Sequence, residues 1–94
     1  MEVQHKHTQR NGHFYLGPEE APTANLVYRM AGIHKMIIDH TEVSEKYRGQ
    51  GIGRQLVATA VAYARANDIK ILPLCSFAKA LIGKTPGYQD VLSH

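Results

Sequence analysis

The chain has no tryptophan, one cysteine and two phenylalanines in 94 residues, and each shortage narrows what it can be. A single cysteine, Cys75, excludes an intramolecular disulfide framework and fits a reducing cytoplasm, with the thiol left free for other work. No stretch approaches the roughly 18 consecutive apolar residues of a membrane span. The polar segment from Met1 to Arg10 also lacks the apolar run of a signal peptide. A soluble, cytoplasmic protein without membrane partners is therefore expected. Neither sign of charge prevails: 11 Lys and Arg stand against 8 Asp and Glu, a net charge of +3. The basic residues are scattered rather than gathered into a nucleic-acid-binding arm, so no nucleic-acid partner is expected, only a mild attraction for phosphates. Repeats, low-complexity tracts and linkers are absent. A hydrophobic content of 44% in so short a chain supports one core, so residues 1–94 are expected to form one domain.

Hydrophobic periodicity divides the chain in two. Val3 to Thr8 reads as an edge strand, Asn11-Gly12 as a hairpin turn, and His13 to Leu16 as a second strand broken by Gly17-Pro18. Ala24 to Met30 is a third strand with Leu26, Tyr28 and Met30 on one face, turned back by Ala31-Gly32. Lys35 to Val43 is apolar on both faces, as a central strand should be, and carries the polar cluster Asp39-His40-Thr41-Glu42. After the polar loop from Ser44 to Gln50 the period becomes helical. Ile52, Leu56, Val57, Ala60 and Ala64 fall on one stripe of a helix ending near Asn67-Asp68. Ile69 to Leu74 suits a buried strand. Ser76 to Ile82 suits a second helix ended by Gly83, and the tail from Pro86 has Tyr88 and Val91-Leu92 to tuck one helical turn against the core. The two strands flanking the first helix are expected to lie parallel.

The loop Arg48-Gly49-Gln50-Gly51-Ile52-Gly53 leaves the end of the central strand and opens that helix. Backbone N–H groups there have no intrahelical partner and lie at the positive end of the helix dipole. Gly49, Gly51 and Gly53 allow a phosphate to approach the backbone, and Arg48 and Arg54 add positive charge. The bland alternative is that the glycines only shape a tight turn. The loop lacks the Lys-Ser/Thr ending of a P-loop and the glycine spacing of a dinucleotide fingerprint.

Arg48-Gly49-Gln50-Gly51-Ile52-Gly53 resembles the Arg/Gln-x-x-Gly-x-Gly/Ala signature of the GNAT N-acetyltransferase superfamily. Ile38 to Val43 resembles its central strand, Gly51 to Val57 the start of its cofactor-binding helix, and Ile69 to Leu74 the next strand. The resemblance implies a compact α/β fold: a mostly antiparallel sheet, a parallel strand pair splayed at the cofactor site, and two main helices. It implies acetyl-CoA as cofactor, with the backbone near Val43 pairing the pantetheine arm. The pyrophosphate would then fall to main-chain N–H groups from Gly49 through Gln50, Gly51, Ile52 and Gly53 to Arg54, with Arg48 as added positive charge beside them. Across nearly the whole chain, Ile38-Asp39-His40-Thr41-Glu42-Val43 and Cys75-Ser76-Phe77-Ala78-Lys79 resemble a subfamily of short GNAT-like proteins with a proposed catalytic cysteine. The chain departs from the superfamily in being much shorter, without the N-terminal helices that often line the acceptor pocket.

Cys75 falls between a strand and a helix start, where the helix N-terminus favours thiolate. If the parallel strands splay, His40 and Cys75 lie on neighbouring strands near the thioester, which allows acyl transfer through Cys75 with His40 as base. Packing is the alternative for the cysteine, and a core or unpartnered imidazole for His40. Direct attack of the amine on the thioester leaves Cys75 only lining the pocket. Tyr88 is a weaker candidate for the acid that protonates the leaving thiolate. His5 and His7 share a strand face, but no third ligand stands at a recognisable spacing, so no metal site is expected. The expected activity is acetyl transfer from acetyl-CoA to an amine on a protein or small molecule, by a monomer or homodimer. The alternative is a non-catalytic module that senses acyl-CoA.

Overall fold

The computed structural model describes residues 2–93. Strands β1 (Gln4–His7), β2 (Asn11–Leu16), β3 (Ala24–Met30) and β4 (Lys35–Val43) form an antiparallel meander. Helix α1 (Ile52–Ala66) carries the chain to β5 (Lys70–Pro73), which lies parallel to β4, and helix α2 (Ser76–Lys84) comes next. Spatial and chain order coincide, β1-β2-β3-β4-β5. The expected architecture of a mostly antiparallel sheet, one parallel pair and two main helices is the one observed.

Strand alternation explains the core. Phe14 and Leu16 of β2, Leu26 and Tyr28 of β3, and Met36 and Ile38 of β4 all point to one face, each 2% exposed or less. The stripe of α1 covers that face: Leu56, Val57, Ala60 and Ala64 are buried, joined by Val61. Alanine at 60 and 64 lets the helix axis lie close to the sheet, so dispersion contacts replace side-chain bulk. Helix α1 ends as expected: Asn67 Nδ2 donates to the Tyr63 carbonyl at 2.8 Å, and Asp68 takes a left-handed φ of 55°.

Two turn readings need correction. Asn11 and Gly12 are the first residues of β2, with Gly12 opposite His7. The reversal lies just before them, where Thr8 N–H donates to the Asn11 carbonyl and Thr8 Oγ1 accepts from Arg10 N–H. Glycine at 12 answers a close approach instead: a Cβ there would stand 2.6 Å from the Tyr28 hydroxyl. Gly83 does not end α2, which runs to Lys84 and stops at extended Thr85, ahead of Pro86. Proline disfavours helical geometry in the residue before it, and the Thr85 hydroxyl takes the Leu81 carbonyl at 2.6 Å.

The tail does pack. A 3-10 helix over Pro86–Val91 buries Val91, Arg65 Nε and Nη2 grip the Asp90 carboxylate, both at 2.8 Å, and Ser93 N–H donates to the Ile71 carbonyl at 2.7 Å. The outer edge of β5 is thereby partly covered, which limits strand addition from another chain.

His5 joins the aromatic end of the core. Its ring stacks on Phe14 at 4.0 Å and on His7 at 4.4 Å and meets the Tyr63 edge at 4.6 Å, with Nε2 2.6 Å from the Tyr28 hydroxyl. His5 and His7 thus share a face, but as a stacked pair. Burial, then the neighbouring His7 and His13, lower the His5 pKa from 6.5 to about 4, while burial raises that of Tyr28 to about 12. Between these His5 values the unfolded chain binds a proton that the folded chain refuses, so stability falls as pH drops from 6.5 toward 4. Thermal melts across that window should show a declining Tm. His5→Phe should flatten the decline while lowering the neutral-pH Tm, because the Tyr28 hydroxyl loses its partner.

Candidate functional site

The site begins with a misfit between β3 and β4. Val27 pairs with His40 but Tyr28 with Ile38, which leaves Asp39 as an extra residue in β4. Arg29 Nε holds this bulge, standing 3.0 and 3.1 Å from the two Asp39 carboxylate oxygens. A bulge bends its strand and increases the local twist. The parallel ladder ends at the same level: its last pair is Ile38 with Pro73, and the N–H groups of Leu74 and Cys75 both converge on the Ile38 carbonyl at 2.9 and 3.3 Å. Beyond it, β4 continues to Val43 without β5 beside it.

The bulge also decides where backbone and side chains point. Ser44 N–H donates to the Thr23 carbonyl at 2.8 Å, so with Asn25 opposite Glu42 and Val27 opposite His40, residues 40 and 42 aim their peptide groups at β3. By the alternation of an antiparallel ladder, Thr41 and Val43 turn theirs toward the vacated side. Side chains obey a matching rule. Before the bulge, the even-numbered Met36 and Ile38 face the core; after it, Thr41 and Val43 face the cleft below, while His40 and Glu42 are exposed on the other face.

A cleft of about 500 Å³ opens there, between Thr41 and Val43 of β4, the loop from Tyr47 to Gly51, the first turn of α1, and Phe77 of α2. A 3-10 turn at Glu45–Tyr47 reverses the chain, and Arg48 Nε donates to the Val43 carbonyl at 3.2 Å. Gly49 and Gly51 then adopt φ of 82° and 76°, a left-handed conformation that disfavours any residue with a Cβ. Gly51 is the N-cap of α1, no side chain caps the helix, and its first turn holds no acidic residue. First-turn N–H groups so placed are donors for an anion.

Of the residues singled out from the sequence, Val43, Arg48, Gly49, Gly51, Ile52, Gly53 and Arg54 line this cleft; Gln50 is exposed in the loop outside its wall. Cys75 is the N-cap of α2, its sulfur accepting from Ala78 N–H at 3.3 Å and lying 3.5 Å from Thr41 Oγ1. His40 is not brought to it. Its imidazole stands on the opposite face of β4, 3.8 Å from Glu42 Oε1. Thr41, Tyr47 and Phe77 are cleft residues that sequence reasoning missed. Phe77 is 43% exposed and leans over Gly53. Thr41 is two residues from Val43, and that spacing alone would have placed it on the cleft face. Among the described residues no group of three His, Cys, Asp or Glu is placed to hold a metal ion, and no helix is long and apolar enough to cross a membrane.

A meander whose last strand is bulged away from a parallel neighbour, with an uncapped glycine turn feeding the crossover helix, is the compact α/β arrangement that the resemblance of the glycine loop implies. The chain belongs to the GCN5-related N-acetyltransferase family, whose sequence profile matches residues 13–91. A GCN5-like protein from Staphylococcus aureus, solved in solution by NMR, is 36% identical; the superposition covers 96% of this chain and 87% of that one, with a TM-score of 0.73. The ribosomal-protein-alanine N-acetyltransferase of Brucella melitensis biovar Abortus 2308 shares the fold at 13% identity and a TM-score of 0.65, over 93% of this chain and 64% of that one. Protein NATD1 of Gallus gallus and of Mus musculus is 30% identical over 63 residues, which is 67% of this chain and 57% of theirs. The match thus spans little more than half the length of these relatives.

The two glycines at the start of α1 should respond oppositely to alanine. Gly51→Ala places a Cβ on a left-handed residue, at about 1 kcal/mol, and should lower Tm by about 4–8 °C in a chain of this size. Gly53→Ala would bring a Cβ to 3.0 Å from the Phe77 ring. That ring is half exposed and can swing outward, while helix propensity improves by about 1 kcal/mol. Its Tm should hold or rise. Thermal melts of both variants check the contrast.

Proposed function

We propose that this protein transfers an acetyl group from acetyl-CoA to an amine, with acetyl-CoA held between the vacated edge of β4 and the N-terminus of α1. The observation that carries the reading is the uncapped first turn of α1, which faces the same cleft as the edge of β4 at Thr41 and Val43, where β5 is no longer alongside and Arg48 takes the Val43 carbonyl. In this reading the N–H groups of Ile52, Gly53 and Arg54, with the guanidinium groups of Arg48 and Arg54, take the pyrophosphate. The edge of β4 at Thr41 and Val43 pairs with the amides of the pantetheine arm. Acetyl-CoA supplies an activated acetyl thioester, delivered toward Cys75 at the point where β4 and β5 part.

Cys75 is proposed as nucleophile. Its thiolate sulfur bonds to the acetyl carbonyl carbon, and the carbon–sulfur bond to coenzyme A breaks, releasing that sulfur as thiolate. The amine nitrogen then attacks the acetyl group on Cys75, the Cys75 sulfur leaves, and the amine gives up a proton. His40 stands beside Glu42 on the far face of β4 and does not reach that amine, so the proton passes to the departing Cys75 sulfur.

Isothermal titration should give saturable binding of acetyl-CoA and coenzyme A, with ATP much weaker. Gly53→Leu should abolish both, and Arg54→Ala should weaken them by about tenfold, the worth of one charge-assisted hydrogen bond. Unchanged affinity in Gly53→Leu would sink the cofactor assignment. Intact-mass measurement after incubation with acetyl-CoA should add one acetyl group to the wild-type chain and none to Cys75→Ala. Tight binding without transfer to any of a broad panel of amines would point to an acyl-CoA sensor instead.

A further inference from the structure

Cys75 is held from two directions. Ala78 N–H, inside α2, donates to its sulfur at 3.3 Å, and Thr41 Oγ1, from a different element, lies 3.5 Å away. The second contact exists only because of the bulge at Asp39. In an unbroken alternation continuing from Met36 and Ile38, residue 40 would face the cleft and residue 41 the far side. One extra residue exchanges them. The group brought to the sulfur is therefore a hydroxyl, and the imidazole expected there is carried away from it.

We infer that Thr41 is a positioning residue for Cys75, which rests on the reading of Cys75 as the sulfur that carries the acyl group. A hydroxyl both donates and accepts, and it rotates to suit its partner. Facing the thiol, Thr41 Oγ1 accepts from S–H; facing the thiolate, it donates, so that the anion receives one hydrogen bond from Ala78 and one from Thr41. No proton is transferred to Thr41 in either arrangement. The hydroxyl fixes the direction of the sulfur, whose anionic form is the attacking form. Thr41 also lines the cleft itself, so the same residue borders the space where a thioester would lie.

Cys75 is the only thiol in the chain, so its alkylation by iodoacetamide reads this contact with no background and without acetyl-CoA. Thr41→Val keeps the shape and removes the hydroxyl; Thr41→Ser restores it. In Thr41→Val the rate of alkylation at neutral pH should fall several-fold and the pH–rate profile should move to higher pH, while Thr41→Ser should recover the wild-type profile. A purely structural role would not move that profile. Identical profiles in wild type and Thr41→Val would overturn the inference, and so would a Thr41→Ser protein as slow as Thr41→Val. If Thr41→Val does not fold, Thr41→Ala is read by the same criteria. Should the wild-type chain take up no acetyl group from acetyl-CoA while the alkylation profiles still separate, the enzymatic reading fails and the positioning role stands.

Discussion

Asp39 is one residue too many for the ladder between β3 and β4, and the cleft half of the molecule is arranged around that surplus. Its carboxylate is held by Arg29, so the irregularity is anchored rather than left to fluctuate. Three consequences share this origin. The last parallel pair with β5 lies at the neighbouring residue, Ile38. The peptide groups of Thr41 and Val43 turn toward the vacated side. The side chains that face the helices switch from even to odd positions. Any one of these could arise separately, but a single inserted residue yields all three, because a strand has a side-chain period of two and no means of absorbing an odd number.

A bend of this kind needs a rigid frame around it. Below it, Met36 and Ile38 are buried under α1, whose alanines allow close approach to the sheet. Above it, the glycine loop must reverse the chain within a few residues and deliver it into α1 with its first-turn donors unblocked. The 3-10 turn at Glu45–Tyr47 begins the reversal, and the left-handed Gly49 and Gly51 complete it. A side-chain cap at position 51 would add about 1 kcal/mol to the helix but would occupy one of the first-turn N–H groups. The N-terminus is left less stable than it could be, and in return its donors remain directed at the cleft.

Most of this frame was legible in the sequence, because it rests on short-range regularities. Alternation in Ala24 to Met30 fixed a strand and its inner face, and the two-sided apolar run within Lys35 to Val43 fixed a central strand. The stripe from Ile52 to Ala64 fixed a helix, and the change of period at Gly51 fixed its start. The errors fell where a second segment decides the outcome. Gly12 looked like a turn residue but is needed because Tyr28, on another strand, approaches it. Phe77, placed by its spacing only on the second helix, leans over the first turn of α1. The bulge depends on how two strands are paired, a property neither strand carries alone. The polar cluster Asp39-His40-Thr41-Glu42 was visible, but not which of its members would face Cys75.

The identity of residue 75 adds an argument from stability. An N-cap is best filled by Ser, Thr, Asp or Asn, whose oxygen takes a first-turn N–H at short range. Sulfur is a weaker acceptor, and here it stands 3.3 Å from Ala78 N–H. A serine would serve α2 at least as well, so helix stability gives no reason for cysteine. Packing contributes in part: Cys75 is half-buried against the core, on the rim where β4 and β5 separate, next to exposed Leu74 and Phe77. What cysteine alone brings to this place is a nucleophilic sulfur, held by an amide from α2 and a hydroxyl from β4. A cap that is second best for the helix fits the proposed role of its sulfur in acyl transfer.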